Sequence, residues 1–324
     1  MIRWVVRRLI SAGLVIVVGI TLLVALVHSL PGDPLTAIVG ERALDPDSRR
    51  VMEHDLGIGR PLPVVITTYF QDALHGDLGT SLAERRPVTT ILAERLGPTL
   101  VLGGLTLLVD FTLGLLLGVW SALHSKSRLA RLLDTLTLAT YTVPGFVIGL
   151  VLIWWFAVHW HWFPPAGIAD PLLPVDAGIT TVALDRLRHL ALPLVTMVLA
   201  TIAVPIRQQR SAVLASMSRP WVTAARARGV SVQRITWQHI WRPALTPVIS
   251  LLGLWLPMLV SGAVFVETVF AYPGIGALLA NATSQRDIPV VIGAGVVLVV
   301  MVQVGSLVAD ILYRVVDPVQ REMA

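Results

Sequence analysis

TLVLGGLTLLVDFTLGLLLGVWSAL, residues Thr99–Leu123, is a run of 25 residues in which Asp110 is the sole charge. A helix of that length, rising about 1.5 Å per residue, is long enough to cross the roughly 30 Å hydrocarbon core of a bilayer. Lipid offers no partner for a backbone amide, so a run this long must satisfy its own hydrogen bonds as a helix. Five further stretches read the same way: 9–30, 135–158, 189–206, 248–266 and 288–309. Composition agrees, since 55% of the chain is hydrophobic, 14% is charged and the mean hydropathy is +0.76. That leaves too few polar side chains to cover a soluble domain. The sequence therefore predicts an all-α polytopic membrane protein with six transmembrane helices. The span at 189–206 is the shortest and carries Pro193 and Pro205, which places it inside the bundle, where neighbours can satisfy the freed carbonyls. Arg3, Arg7 and Arg8 precede the first span. Its apolar stretch is longer than that of a signal peptide and no A-x-A pattern follows, so it is expected to stay as an anchor.

Charge orients these spans. Residues 1–8, 124–131, 207–247 and 314–324 hold 15 Lys/Arg and two acids, Asp317 and Glu322. Residues 31–98, 159–188 and 267–287 hold 10 basic and 15 acidic side chains. Basic loops stay on the cytoplasmic side, which puts both termini inside and residues 31–98 outside. The pI near 10.4 is thus mostly a topology signal rather than a sign of nucleic-acid binding. The expected layout is a first helix at 1–30, an extracytoplasmic insertion at 31–98, a core at 99–313 and a cytoplasmic tail at 314–324. The insertion has helical patches at 45–56 and 61–74, broken by Gly57, Gly59, Gly76 and Gly79. It is too long for a tight turn and should pack as a small cap. With no cysteine in the chain, disulfides and thiolate metal sites are excluded.

Between the fourth and fifth spans lies AARARGVSVQRITWQHIWRPALTP, Ala224–Pro247, with four arginines, one glycine, one histidine and no acid. In the lead-in, Leu214, Met217, Trp221 and Ala225 recur at helical spacing and predict one helical stripe over 211–228. Gly229 interrupts, and a second helical pattern follows through Val232, Ile235 or Thr236, and His239 or Ile240. Helix, glycine turn, helix is the plain reading. Two roles stay open on the residues alone: an interfacial helix attracting anionic lipid, and a docking element for a protein partner.

The same residues carry a resemblance. Thr223-Ala224-Ala225-Arg226-Ala227-Arg228-Gly229 is similar to the "EAA" signature of ABC-importer permeases, and W-V-T-A-A-R-A-R-G, with His239 and Pro247 beyond it, resembles the peptide-permease form. Other stretches match the same family in order: H-S-L-P-G-D-P (His28–Pro34), R-P-L-P (Arg60–Pro63), G-D-L-G-T-S (Gly76–Ser81) and L-A-E-R-L (Leu92–Leu96). V-E-T-V-F-A-Y-P-G-I-G (Val266–Gly276) and L-Y-R-V-V-D-P (Leu312–Pro318) complete the set, so that the resemblance covers essentially the whole chain. The family is the B-type permease subunit of dipeptide/oligopeptide ABC importers. The resemblance implies a type I importer permease fold and cytoplasmic coupling helices at 207–247 seated on an ATPase. It also implies a second homologous permease subunit, two ABC ATPase subunits and an extracytoplasmic solute-binding protein; the size and outside position of residues 31–98 suggest that they help receive that protein. ATP and magnesium would belong to the ATPases, with no cofactor on this chain. Thr223 stands where the signature has its acid, so an acid-mediated contact is not implied here. Within the family the cargo is dipeptide, oligopeptide, nickel complex or haem-like compound, and no residue in this sequence discriminates among them.

Two acids stand out as candidate site residues. Asp110 sits mid-span, where a carboxylate is costly; it either lines a translocation path or is a hydrogen-bonded structural acid. Glu267, at the outer end of the fifth span, reads as part of an outer gate or as one half of an interfacial pair. Asp134 reads as the N-cap of the third span. Gly103-Gly104 and the G-x-x-x-G of Gly114 and Gly118 predict close helix packing. His159 and His161 alternate with Trp160 and Trp162, a pattern of an interfacial belt rather than a metal site. There is no H-E-x-x-H, no G-x-S-x-G and no phosphate loop, and Lys126 is the sole lysine. The chain is therefore expected not to be an enzyme or the ATPase itself. A stand-alone secondary transporter or channel is the other class, and it would call for paired mid-membrane ionisable groups or an internal repeat.

Overall fold

The computed structural model describes residues 2–29, 60–174 and 176–316. The expected helix at 45–56, the motif residues 30–34 and the chain from 317 onward lie outside the described residues. In chain order the helices are α1 (Ile2–His28), α2 (Leu62–Leu74), α3 (Val88–Leu123), α4 (Arg128–Thr142), α5 (Gly145–Leu152), α6 (Ile179–Thr201), α7 (Ala203–Met217), α8 (Pro220–Ala227), α9 (Thr246–Val269), α10 (Ile275–Ser284) and α11 (Ile288–Val316). A π-helical turn, Ile153–His159, extends α5, and another, Ile235–Trp241, occupies the middle of a helical run over 232–244. Among the described residues there is no strand, only an isolated bridge between Thr80 and Pro87. Val6–His28, Val88–Leu123 and Ile288–Val308 are long and apolar enough to cross a membrane. The bent pairs α4 with α5 and its π-turn, and α6 with α7, bring the count to as many as five.

Four expectations are corrected. The third span is not one straight helix: its two halves meet at 104°. Pro144 cannot continue the helix and pushes Val143 into extended backbone (φ −86°, ψ 129°), so α5 starts afresh at Gly145. The stripe expected over 211–228 is broken at Ser218–Arg219, because Pro220 opens α8 as its first residue and Arg219 is extended. Asp134 is not an N-cap; α4 begins six residues earlier, capped by Ser127, whose hydroxyl accepts from the Ala130 amide at 3.0 Å. Gly103 and Gly104 face open space within 4 Å, whereas Gly114 and Gly118 do pack closely.

By backbone contacts the chain divides into two units, 1–99 with 273–303 and 100–272 with 304–324. In the first, α2 forms where 61–74 predicts a helix. It lays Val65, Ile66, Tyr69 and Phe70 against Ile20, Val24 and Val27 of α1 and Ile292 of α11. A second cluster joins Val88, Ile91 and Leu92 to Ile275 and Leu278 of α10 and Val290 and Ala294 of α11. Gly293 leaves room for Val88 there: a Cβ would lie 2.6 Å from Val88 Cγ1, so the two helices or the Val88 side chain would have to shift. The loop 76–87 is tied down by buried Asp287, in the turn between α10 and α11. Its carboxylate accepts from Ser81 Oγ at 2.5 Å and from the amides of Leu82 and Ala83, each at 3.1 Å. Gly76 (φ +81°) and Gly79 (φ +85°) supply the left-handed turns that bring the loop back. Hydrogen bonds to a charged group contribute about 1.5–3 kcal/mol each, so we predict that Asp287→Ala frees this loop. Hydrogen exchange over 76–87 measures it; unchanged protection would show that the carboxylate does not hold the loop.

In the second unit the largest cluster gathers Leu102, Leu190, Leu192, Met197, Trp255, Phe270 and Tyr272. Gly149 of α5 lets Phe270 approach, as a Cβ would sit 3.1 Å from its ring. The tryptophans and histidines at 154–162 stack on one another, Trp160 on Trp162 at 4.6 Å and Trp154 on His159 at 5.9 Å, with their rings largely exposed. Such amphipathic rings suit a membrane–water interface. Among the described residues no cluster of three His, Asp or Glu could hold a metal.

Candidate functional site

The acid-free segment is a small folded module built on the C-terminal parts of α3 and α7. Val222 and Ala225 of α8 point inward, where Ala122 and Val213 meet Ile235, Ile240 and Ala244 of the second helical run. The period of three explains why α8 buries one side only: Thr223, Ala224, Arg226 and Arg228 are left exposed. Among the described residues, none of Arg219, Arg226, Arg228 and Arg234 forms a salt bridge with an acid. Arg219 instead lies over the Trp221 ring, 5.5 Å from its centroid.

Gly229 ends α8 by a hydrogen-bond pair that closes the helix. Its amide donates to the Arg226 carbonyl at 3.0 Å and the Val230 amide to the Ala225 carbonyl at 3.2 Å. That is a Schellman closure, which needs a left-handed residue, and Gly229 has φ +74°. Nothing lies within 4 Å of a Cβ built there, so glycine serves backbone conformation rather than space. Trp221 Nε1 then donates to the His239 carbonyl at 3.2 Å, tying α8 to the second run. His239 itself is half-buried, and Pro247 is exposed in the first turn of α9, where a missing amide costs nothing. Trp221 and Trp237 stay about half exposed beside the arginines. An exposed cationic face with aromatic anchors on a rigid apolar base suits a macromolecular partner.

The whole chain has close relatives. Residues 114–322 match the family described as "Binding-protein-dependent transport system inner membrane component", and residues 1–103 match its N-terminal counterpart. The chain belongs to this permease family. It is 37% identical to the di/tripeptide transport system permease protein DppB of Pseudomonas aeruginosa, over 98% of both chains. It is 33% identical to the dipeptide transport system permease protein DppB of Escherichia coli K12, over 98% of both, and 32% identical to the oligopeptide transport system permease protein AppB of Bacillus subtilis, over 98% of this chain and 99% of that one.

The two acids of this permease-family chain that sequence reading singled out lie apart from the arginine module. Asp110 is 0% exposed on α3, held by Thr201 and Trp255. Glu267 is fully buried near the end of α9, and its carbonyl accepts from the Tyr272 amide at 2.8 Å. Burial raises the Tyr272 hydroxyl above its usual pKa, and the Glu267 charge adds to that rise. Sequence reading missed Arg210, whose guanidinium donates to Asp134 and so pins α7 to α4. It also missed Gln209, fully buried beside Gly118. A polar residue at 209, four after Pro205 on an apolar-packed face, is the one local signal that could have pointed to it.

Proposed function

We propose that this chain is one transmembrane half of an ATP-driven importer of peptides, with residues 207–247 as the element that couples it to a cytoplasmic ATPase. The observation that carries this is the exposed, acid-free arginine face of α8, hinged at Gly229 and backed by helices of the bundle. A face built for lipid alone would not need a closed two-helix module behind it. Thr223, Ala224, Arg226 and Arg228 meet the ATPase, Ala225 and Gly229 shape the module, and His239 and Pro247 set its return into α9. The absence of an acid at Thr223 makes this contact one of shape and positive charge. The three long apolar helices, the two bent pairs and α9 support six crossings, and the excess of Lys/Arg in residues 1–8, 124–131, 207–247 and 314–324 supports cytoplasmic termini. A second homologous permease completes the pathway, two ATPases supply ATP and magnesium, and a solute-binding protein delivers cargo to the outer face that includes residues 31–98. Peptide cargo is supported by the relatives, which are named as di-, tri- and oligopeptide permeases.

Purification in mild detergent, with the partner genes co-expressed, tests this reading. The ATPase should co-purify, and proteoliposomes should take up labelled dipeptide only with ATP inside the ATPase compartment and binding protein on the other side. Isolation of the chain without an ATPase, or uptake driven by an ion gradient alone, would reject the importer and favour a secondary transporter.

A further inference from the structure

Helices α6 and α7 meet at 42° around Ile202. The sequence explains the bend: Pro205 has no amide proton, so the Thr201 carbonyl has no donor four residues on, and the ring crowds that carbonyl. The residue that loses its backbone partner is also the one held by a buried acid. Thr201 Oγ1 lies 2.6 Å from Asp110 Oδ2 and 2.7 Å from the Met197 carbonyl, so its single proton can serve either. Trp255 Nε1, from α9, donates to the same Asp110 oxygen at 3.4 Å. Asp110 is 0% and Trp255 5% exposed, and Asp110 Oδ1 has no hydrogen-bond partner among the described residues.

One turn further along α3, Gly114 receives the other member of the bend. A Cβ at Gly114 would lie 2.8 Å from Pro205 Cβ. Asp110 and Thr201 are 91 residues apart, and the same offset recurs for Gly114 with Pro205 and Gly118 with Gln209. Two helices running in parallel with matched four-residue steps form a continuous seam. One face of α3 thus grips, in consecutive turns, both residues that create the bend. Helix α7 leads from there, through Ser218 and Arg219, straight into α8.

We propose that Asp110 is a positioning residue that fixes the α6–α7 bend through Thr201 and Trp255, and thereby sets the angle at which α7 presents the 218–247 module. The functional consequence rests on the reading of that module as the ATPase-coupling element; the bend itself does not. In this role Asp110 needs to accept hydrogen bonds but not to meet cargo.

The absence of native cysteine allows a clean measurement. Spin labels at Leu184 on α6 (61% exposed) and Leu214 on α7 (39% exposed) straddle the bend, and pulsed dipolar spectroscopy of the intact complex in nanodiscs reads their separation. Asp110→Leu and Thr201→Val should shift or broaden the distance distribution. Asp110→Asn still accepts from Thr201 and Trp255 and should keep the native distribution. Binding-protein-stimulated ATP hydrolysis should fall about tenfold in the first two variants and stay near wild type in the third. If Asp110→Leu does not insert, Thr201→Val, nearly isosteric, decides on the same readouts. A native distance distribution in Thr201→Val or Asp110→Leu overturns the proposal. Lost transport with a native distance would overturn it too and assign the carboxyl to the translocation path. If no ATPase accompanies the wild-type chain, the importer reading fails, while the distances still decide whether Asp110 holds the bend.

Discussion

Replacing Gly118 by leucine should leave little correctly assembled protein in the membrane, whereas the same change at Gly103 should be tolerated. At Gly118 a Cβ alone would sit 2.7 Å from the Ile206 carbonyl oxygen and 2.7 Å from Gln209 Cβ. The first obstacle is helix backbone, which cannot rotate aside as a side chain does. One turn away, Gly114 already seats Pro205, so α7 has no freedom to retreat at one point without losing the next. Overpacking a core that can give costs about 1–3 kcal/mol. Here it must separate the helices, and in lipid close contact between small residues is itself what holds helices together. Against a total stability on the order of 5–15 kcal/mol, that loss is large. Gly103 has nothing within 4 Å, so its substitution should stay within about 0.5 kcal/mol, as is usual for open positions. The recovered monodisperse fraction and the melting temperature in detergent measure both. Similar values for the two variants would mean that the α3–α7 seam does not form.

That contrast also shows where sequence reading reaches. Gly114 and Gly118 announce themselves because four-residue spacing puts two small residues on one helical face. Gly103 and Gly104, adjacent in sequence, point to different faces and carry no such information. The long apolar runs are legible since length against bilayer thickness is a one-dimensional property, as Val88–Leu123 shows. The 104° turn at Pro144 is not, because a hydropathy window counts Pro and Gly as mild residues and is blind to direction. Pro220 is a similar case: the apolar stripe runs through it, but a missing amide outweighs periodicity. Gly229 is legible for the opposite reason, as the turn it makes demands a conformation that few other residues adopt. What no local pattern shows is the long-range pairing of charges. Asp134 finds Arg210, Asp110 finds Thr201 and Asp287 finds Ser81, the last across 206 residues. Each acid looked in sequence like a candidate cap or site, or like nothing at all. In the fold each has a hydrogen-bond partner on another element, as expected where burying an unpartnered carboxylate costs several kcal/mol.

Gly229→Val should uncouple transport while leaving the protein in the membrane. A Cβ at this position touches nothing, so any effect must come through the backbone. At φ +74° an ordinary L-residue costs about 1–2 kcal/mol, and a β-branched one costs more because its side chain crowds the backbone on both sides. The chain relieves that strain by giving up the closing bonds from Gly229 and Val230 to Arg226 and Ala225. The end of α8 then no longer has a fixed direction relative to the 232–244 run, although neither the apolar spans nor the buried Val222 is altered. Membrane content should therefore match wild type, and ATP-dependent peptide uptake should fall at least about tenfold. Gly229→Asn is the informative companion, since asparagine enters the left-handed region readily, and Gly229→Ala should lie between the two. The expected order of uptake is Gly, Asn, Ala, Val, measured in proteoliposomes at equal protein. That order follows the cost of a positive φ and not side-chain size or polarity. A series in which asparagine is as defective as valine would show that the exposed surface at 229 matters rather than its backbone, and the hinge would have to be sought elsewhere in the module.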